Sequence, residues 1–174
     1  MSHTYSHLYN VPTSGLRFFT VYGPWGRPDM APFKFTKKIV EGDTIDIYNN
    51  GNLSRDFTYI DDIVEGVVRI AEVIPTSKKD WNSDDASPKN SYAPYRLYNI
   101  GNGQPVQLLD FVNCLEASIG IEANKNMMPM QPGDVYKTWA DTQDLFDAVG
   151  YQPKVDIKQG VSEFVAWYKA FYKI

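Results

Sequence analysis

Hydrophobic and polar positions along the chain switch between a period of two and a period near 3.6, and the switches mark out the elements. Leu16, Phe18, Phe19, Val21 and Tyr22 form an apolar, aromatic run with one cation embedded, which predicts a strand over Gly15 to Val21. Gly23-Pro24, Gly26, Pro28 and Pro32 follow, so the backbone beyond that strand is held in turns that carry Trp25, Arg27 and Asp29. Pro32 to Glu41 has helical spacing, with Phe33, Phe35 and Ile39 set against Lys34, Lys37 and Lys38 and Gly42 to close it. Thr44 to Tyr48 alternates like a strand, Asn49 to Asn52 is a turn, and Phe57 to Ile60 is another short strand. A helix is predicted over Ile63 to Val73, capped by Asp62 with Glu65 completing a capping box. Its buried face would be Ile63, Val67, Ile70, Ala71 and Ile74. Arg96 to Ile100 predicts a strand, Leu108 to Ile119 a helix, and Lys125 to Met130 an extended stretch. Thr142 to Val149 predicts a short helix stopped by Gly150, and Ile157 to Tyr172 an amphipathic one. At the amino end Met1, Tyr5, Leu8 and Tyr9 fall on one side at helical spacing. Residues 1–10 thus predict the last turns of a helix with no cap signal, in a chain that begins within an element. Thr76 to Pro94 is polar throughout and predicts a long surface loop. Strands alternating with helices make this an α/β chain.

Composition narrows the class. A chain of 174 residues, 43% hydrophobic and 14% aromatic, can build one domain with a real core. Seventeen cationic against 21 anionic side chains leave a net charge of −4, with no basic run longer than Lys-Lys, which argues against nucleic-acid binding. The single cysteine excludes an internal disulfide framework and fits a reducing compartment. No apolar run nears the roughly 20 residues of a membrane span, and MSHTYSHLYN lacks the basic start and apolar core of a secretion signal. A soluble, cytoplasmic protein is expected. His3 and His7 lie four apart, but without a third ligand nearby they are expected to be surface histidines and no metal site is predicted. Cys114, among Phe111, Val112 and Leu115, is expected to be a core thiol. Gly101-Asn102-Gly103 lacks the third glycine of a dinucleotide fingerprint, since Val106 stands there, and is read as a turn.

Four stretches carry a family resemblance: GLRFFTVYGPWGRPDM from Gly15, RDFTYIDDIVEG from Arg55, APYRLYNIG from Ala93 and QPGDVYKTWAD from Gln131. Together they resemble the sugar-nucleotide epimerases of the extended short-chain dehydrogenase superfamily, most closely the NAD-dependent UDP-glucuronate 4-epimerases. The resemblance covers only the C-terminal portion of such an enzyme. It implies an α/β fold made of the last strands of an extended Rossmann-type sheet plus the small substrate-binding subdomain, with the N-terminal dinucleotide-binding strands absent. On that plan residues 1–30 hold the end of a Rossmann helix, a strand and the substrate loop. Residues 31–60 and 102–174 are mainly the sugar-nucleotide subdomain, and 61–101 supply a helix, the 76–94 surface loop and a returning sheet strand.

The family's chemistry needs a glycine-rich turn for the cofactor pyrophosphate and a tyrosine four residues before a lysine as base. The chain has no such glycine motif, and none of its 12 tyrosines has Lys at the fourth position after it. No catalytic residue is therefore assigned, and NAD is not expected to be held by this chain alone. The resemblance places Thr20 near the sugar, Tyr22 near the nicotinamide and Arg27 near the uronate carboxylate, a task that suits a guanidinium. An ion pair of Arg27 with Asp29 is the alternative. Asp46, Ile47 and Tyr48 match the strand over uracil, Arg55 the diphosphate-binding arginine and Asp134 an acceptor for ribose hydroxyls. Arg55 could instead pair with Asp56, and Tyr48 could be an ordinary strand aromatic. Gln131 stands where many relatives carry a second phosphate-binding arginine, so it would offer neutral hydrogen bonds only. The implied ligand is a UDP-sugar, UDP-glucuronate or UDP-galacturonate. The alternatives are a non-catalytic sugar-nucleotide-binding module, or half of a UDP-glucose 4-epimerase, a dehydratase or a UDP-glucuronate decarboxylase. An uncovered sheet edge and apolar faces would then drive self-association or a homodimer.

Overall fold

The computed structural model describes residues 1–82, 84 and 87–174; positions 83, 85 and 86, within the predicted surface loop, lie outside the described residues. In chain order the elements are α1 (Ser2–Tyr9), β1 (Thr13–Phe18), β2 (Thr20–Tyr22), α2 (Ala31–Glu41), β3 (Ile45–Ile47), β4 (Ser54–Arg55) and β5 (Phe57–Tyr59). Then come α3 (Ile60–Ala71), β6 (Tyr95–Ile100), β7 (Val106–Gln107), α4 (Leu108–Ile119), β8 (Lys125–Met127), α5 (Gln143–Val149) and α6 (Ile157–Tyr172).

The strand predicted over Gly15 to Val21 is two strands. β1 runs parallel to β6, with Thr13 opposite Tyr95, and β2 runs parallel to β5, with Thr20 opposite Phe57. The change of partner falls at Phe19: its N–H donates to the Ile100 carbonyl at 3.4 Å, while Thr20 N–H donates to the Asp56 carbonyl at 3.0 Å. Two further pairs complete the strands, β3 parallel to β8 and the short β4 antiparallel to β7. The parallel pairs are linked through helices, as crossover connections require.

Two apolar clusters hold these pieces. The larger joins α2, β2, β3, β5, α4 and α6 and is rich in rings, with Phe57 stacked on Phe111 at a centroid separation of 4.2 Å. The smaller packs α3 and α5 on β6 through Ile63, Ile70, Tyr98, Ile100, Leu145 and Tyr151.

Two predicted features are corrected. α3 starts at Ile60, straight from β5, so Tyr59 takes the cap position and Asp62 lies inside the first turn. Its buried carboxylate instead accepts from the backbone N–H groups of Lys154 and Val155, both at 3.0 Å, tying α3 to the approach to α6. Ala71 and Ile74 are exposed: Ala71 is the last residue of α3, and Ile74 lies beyond the helix. On α1 the inward residue is Ser6, fully buried, whereas Met1, Tyr5, Leu8 and Tyr9 are exposed. His3 bonds Ser91 Oγ at 2.9 Å and meets the Tyr95 ring edge-on.

Candidate functional site

The site begins at Asp56, between β4 and β5. In extended backbone, alternate side chains point to opposite faces, so Asp56 and Thr58 share the inward face. Asp56 is fully buried without a cation. Its Oδ1 accepts from Asn102 N–H at 2.8 Å and from the Thr58 hydroxyl at 3.1 Å, and its Oδ2 from Gly103 N–H at 2.9 Å and Ala140 N–H at 2.8 Å. Four donors meet the acceptor capacity of a carboxylate. Gly101 must be glycine for this close approach, because a Cβ there would sit 2.7 Å from Ala140 Cβ and 3.1 Å from Asp56 Oδ2. Thr20 joins through its N–H to the Asp56 carbonyl and is half-buried.

Arg55, on the opposite face, turns outward to a different partner. Its Nη2 donates to Asp134 Oδ1 at 2.5 Å, across 79 residues of sequence, and its Nη1 donates to the Ser54 carbonyl at 2.9 Å. Both charged side chains are only about a quarter exposed. Asp134 Oδ1 also accepts from Val135 N–H, and Asp134 N–H donates to the Gln131 carbonyl, which closes the Q-P-G-D turn. Gln131 itself is exposed beside this pair in the turn. The segment beyond is pinned to β4, with Ser54 N–H donating to the Tyr136 carbonyl and Thr138 N–H to the Ser54 carbonyl. The expected alternative, an Arg55–Asp56 pair, does not form.

β3 approaches the same turn through β8. Ile47 is fully buried and its carbonyl accepts from Met128 N–H, while Asn50 N–H donates to the Met128 carbonyl. Asp46 accepts from Asn126 Nδ2 at 2.8 Å, and Tyr48 is half-buried at the start of a tight turn in which Asn49 and Asn50 are both left-handed. Arg55, Gln131 and Asp134 are thus brought together, with Thr20 beside Asp56 and the 46–48 segment connected through β8.

Arg27 lies elsewhere, beyond the far end of β2. A cavity of about 310 Å³ opens there, lined by Phe18, Val21, Trp25, Arg27, Met30 and Ile60 among others. Arg27 pairs with Asp29, Nε to Oδ1 at 3.1 Å and Nη2 to Oδ2 at 2.5 Å, and both side chains are exposed. The alternative foreseen for Arg27 is realised, and this hydrogen bond holds the Asp29 carboxyl below its ordinary range. The loop turns at Gly23, whose φ of +139° and 2.5 Å approach of a would-be Cβ to Ile60 Cγ2 leave no room for a side chain. Trp25 adopts φ +61° although it is not glycine, a conformation that costs about 1–2 kcal/mol. Tyr22, expected near the nicotinamide, is 2% exposed and packs in the larger core, edge-on to Phe57, Tyr59 and Phe111.

A tyrosine that works as a base needs its phenol pulled down by a cation. Here burial, the largest cause in each case, pushes Tyr22, Tyr59, Tyr151 and Tyr168 up. Burial likewise raises the Cys114 thiol, which packs partly buried against the larger core. Among the described residues no three His, Cys, Asp or Glu side chains are grouped to hold a metal ion, and no helix is long and apolar enough to cross a membrane. What the arrangement offers is recognition: a guanidinium and a carboxylate locked together at a turn, and a second guanidinium beside a cavity. The organising residue that sequence reasoning passed over is Asp56, three of whose four partners are backbone amides that leave no trace in side-chain pattern.

Residues 1–83 match the NAD dependent epimerase/dehydratase family. The chain is 57% identical over 173 residues to Protein CapI of Staphylococcus aureus, covering 99% of this chain and 52% of that protein. It is 51% identical over 175 residues to a probable UDP-glucuronate 4-epimerase of Rhizobium meliloti, covering 99% and 51%. In fold it is similar to UDP-glucuronic acid 4-epimerase from Bacillus cereus in complex with UDP-glucuronic acid and NAD, with a TM-score of 0.81 and 32% identity. That match covers 98% of this chain and 49% of the other. The chain spans about half the length of the curated relatives it matches, and its α/β fold is that of half of a Rossmann-type epimerase/dehydratase structure. By sequence and fold alike, the chain is similar to half of a UDP-glucuronate 4-epimerase, and its first 83 residues match the NAD dependent epimerase/dehydratase family.

Proposed function

We propose that this chain is the UDP-sugar-binding half of an NAD-dependent UDP-glucuronate 4-epimerase, and that alone it grips the nucleotide sugar without epimerising it. Arg55 holds the diphosphate, Asp134 accepts from the ribose hydroxyls and Gln131 adds neutral hydrogen bonds. The Asp46–Tyr48 segment borders the base, through Tyr48 and backbone because Ile47 is buried in the core. Thr20 faces the sugar, and Arg27 meets the uronate carboxylate by exchanging its bond to Asp29. The observation that carries this reading is the Arg55–Asp134 contact, which brings the two residues assigned to diphosphate and ribose together from 79 positions apart.

The residues present do not fit the cofactor. Tyr22 is enclosed by aromatic rings, and the amides of the Gly101–Gly103 turn, those of Asn102 and Gly103, are spent on the Asp56 carboxylate rather than left for a pyrophosphate. On this reading the chain supplies no hydride step of its own and works in the cytoplasm.

Calorimetric titration of the chain with UDP-glucuronate, with UDP-glucose and NAD as comparisons, tests this. UDP-glucuronate should bind, NAD should give no heat, and Arg55→Ala should weaken the nucleotide sugar at least about tenfold, the loss of one charge-assisted bond. Absence of heat with both UDP-sugars would sink the proposal.

A further inference from the structure

The loop that carries Arg27 is held from outside by the last helix. Trp25 stands 76% exposed, yet its indole is not free. Its ring centroid lies 5.5 Å from Trp167 and 5.0 Å from Phe171, edge-on to the latter. Those two rings stack on one another at 5.3 Å, and Trp167 stacks in turn on Phe164 at 6.0 Å. Phe164 is 1% exposed, so positions 164, 167 and 171 of α6 form a rail of rings that starts in the core and ends at the surface against Trp25. Phe164 also reaches the underside of the loop, where a very small cavity is shared with Gly23, Gly26, Arg27 and Met30.

An indole in the left-handed region is an expensive choice at a position where glycine would be free of strain. Such a conformation persists only where the surroundings over-determine it, and here the surroundings are Trp167 and Phe171. The clamp fixes the backbone two residues before Arg27. The turn that encloses Trp25, with Gly26 N–H to the Gly23 carbonyl at 3.1 Å, and the one that follows, with Met30 N–H to the Arg27 carbonyl at 3.2 Å, carry that constraint to the guanidinium. We propose that Trp167 and Phe171 are positioning residues for sugar specificity: through Trp25 they set the direction of Arg27 and so the preference for a carboxylate at the sugar over a neutral hydroxymethyl group. The inference rests on the UDP-sugar reading above. It assigns to α6 a part in substrate choice that Trp167 and Phe171 perform without lining the cavity beside Arg27.

The test compares three ligands on the 174-residue chain: UDP, UDP-glucose and UDP-glucuronate. Trp167→Ala and, separately, Phe171→Ala should leave UDP binding as in the parent, since Arg55 and Asp134 lie elsewhere, while UDP-glucuronate weakens about tenfold, as expected for one misaligned charge-assisted bond. Trp167→Phe should restore the parent ratio, because a ring remains to stack. Combining Trp167→Ala with Arg27→Ala should cost no more than Arg27→Ala alone. The chain with 5-fluorotryptophan in place of tryptophan supplies a readout independent of affinity: the fluorine resonance of Trp25 should move in both alanine variants. Unchanged ratios of UDP-glucuronate to UDP affinity in both alanine variants, with UDP still bound, would overturn this inference and leave the UDP-sugar reading standing. Absence of UDP binding in the parent would overturn both. Phe171 is 48% exposed near the end of α6, so its variant keeps the fold should Trp167→Ala lose it.

Discussion

Asp56 follows Arg55 in the chain, yet the two side chains serve opposite faces of one extended segment. Arg55 looks outward to Asp134, and Asp56 looks inward to three backbone amides and the Thr58 hydroxyl. Those amides belong to the turn after β6 and to Ala140, so one buried carboxylate fastens β5, β6 and the 135–140 segment that ends in the Arg55–Asp134 turn. A buried charge is costly unless it is fully hydrogen-bonded. Removing it transfers the cost to the amides left behind. Asp56→Ala should therefore destabilise the chain by about 3–5 kcal/mol, and the isosteric Asp56→Asn by less, since its amide group turns one acceptor into a donor facing N–H groups. Urea melts read this directly; a midpoint for Asp56→Ala within error of the parent would show that the amides find water instead. The pairing itself could not be read from the sequence. A carboxylate satisfied by backbone has no partner side chain to betray it, and Arg beside Asp suggests the wrong contact.

At the scale of elements, α4 and α6 were legible to the residue, Leu108–Ile119 and Ile157–Tyr172, because long apolar stripes of period 3.6 leave little choice. β4 and β7, two residues each, are too short to show any period and exist through their ladder to one another. α3 hid its start because Asp61 and Asp62 are both acidic; a cap and a favourable first-turn charge look alike in sequence. α6 is the one helix among those described whose cap side chain makes a hydrogen bond, Asp156 accepting from Gln159 N–H at 2.9 Å. Asp156→Ala should cost about 1 kcal/mol and lower the melting temperature by about 2–4 °C. Nucleotide-sugar affinity should hold, because fraying at the first turn does not reach Trp167. Differential scanning calorimetry beside the ligand titration checks both halves, and a loss of affinity without a loss of stability would contradict this division of labour.

For the whole molecule the informative surface is the one that packing leaves over. α1 turns Ser6 inward and presents Tyr5, Leu8 and Tyr9 outward, 57–66% exposed, on consecutive turns of one face, with Tyr5 and Tyr9 rings 5.5 Å apart. Beneath it β1 pairs only with β6 among the described residues, so its second edge has no strand beside it. Exposed apolar stripes and open edges both favour association, and a single Arg17 on β1 is weak protection against the second. Helix stripes associate by burying side chains, whereas an edge associates through backbone groups that mutation of a side chain does not remove. Leu8→Glu therefore separates them: it sits on an exposed position and adds a charge to the stripe without disturbing the core. The parent chain should show a sedimentation coefficient that rises with concentration, and Leu8→Glu should return it to the monomer value. Association that survives Leu8→Glu would move the interface to the β1 edge, and a parent chain monomeric at every concentration would mean that neither surface is sticky enough to need a partner.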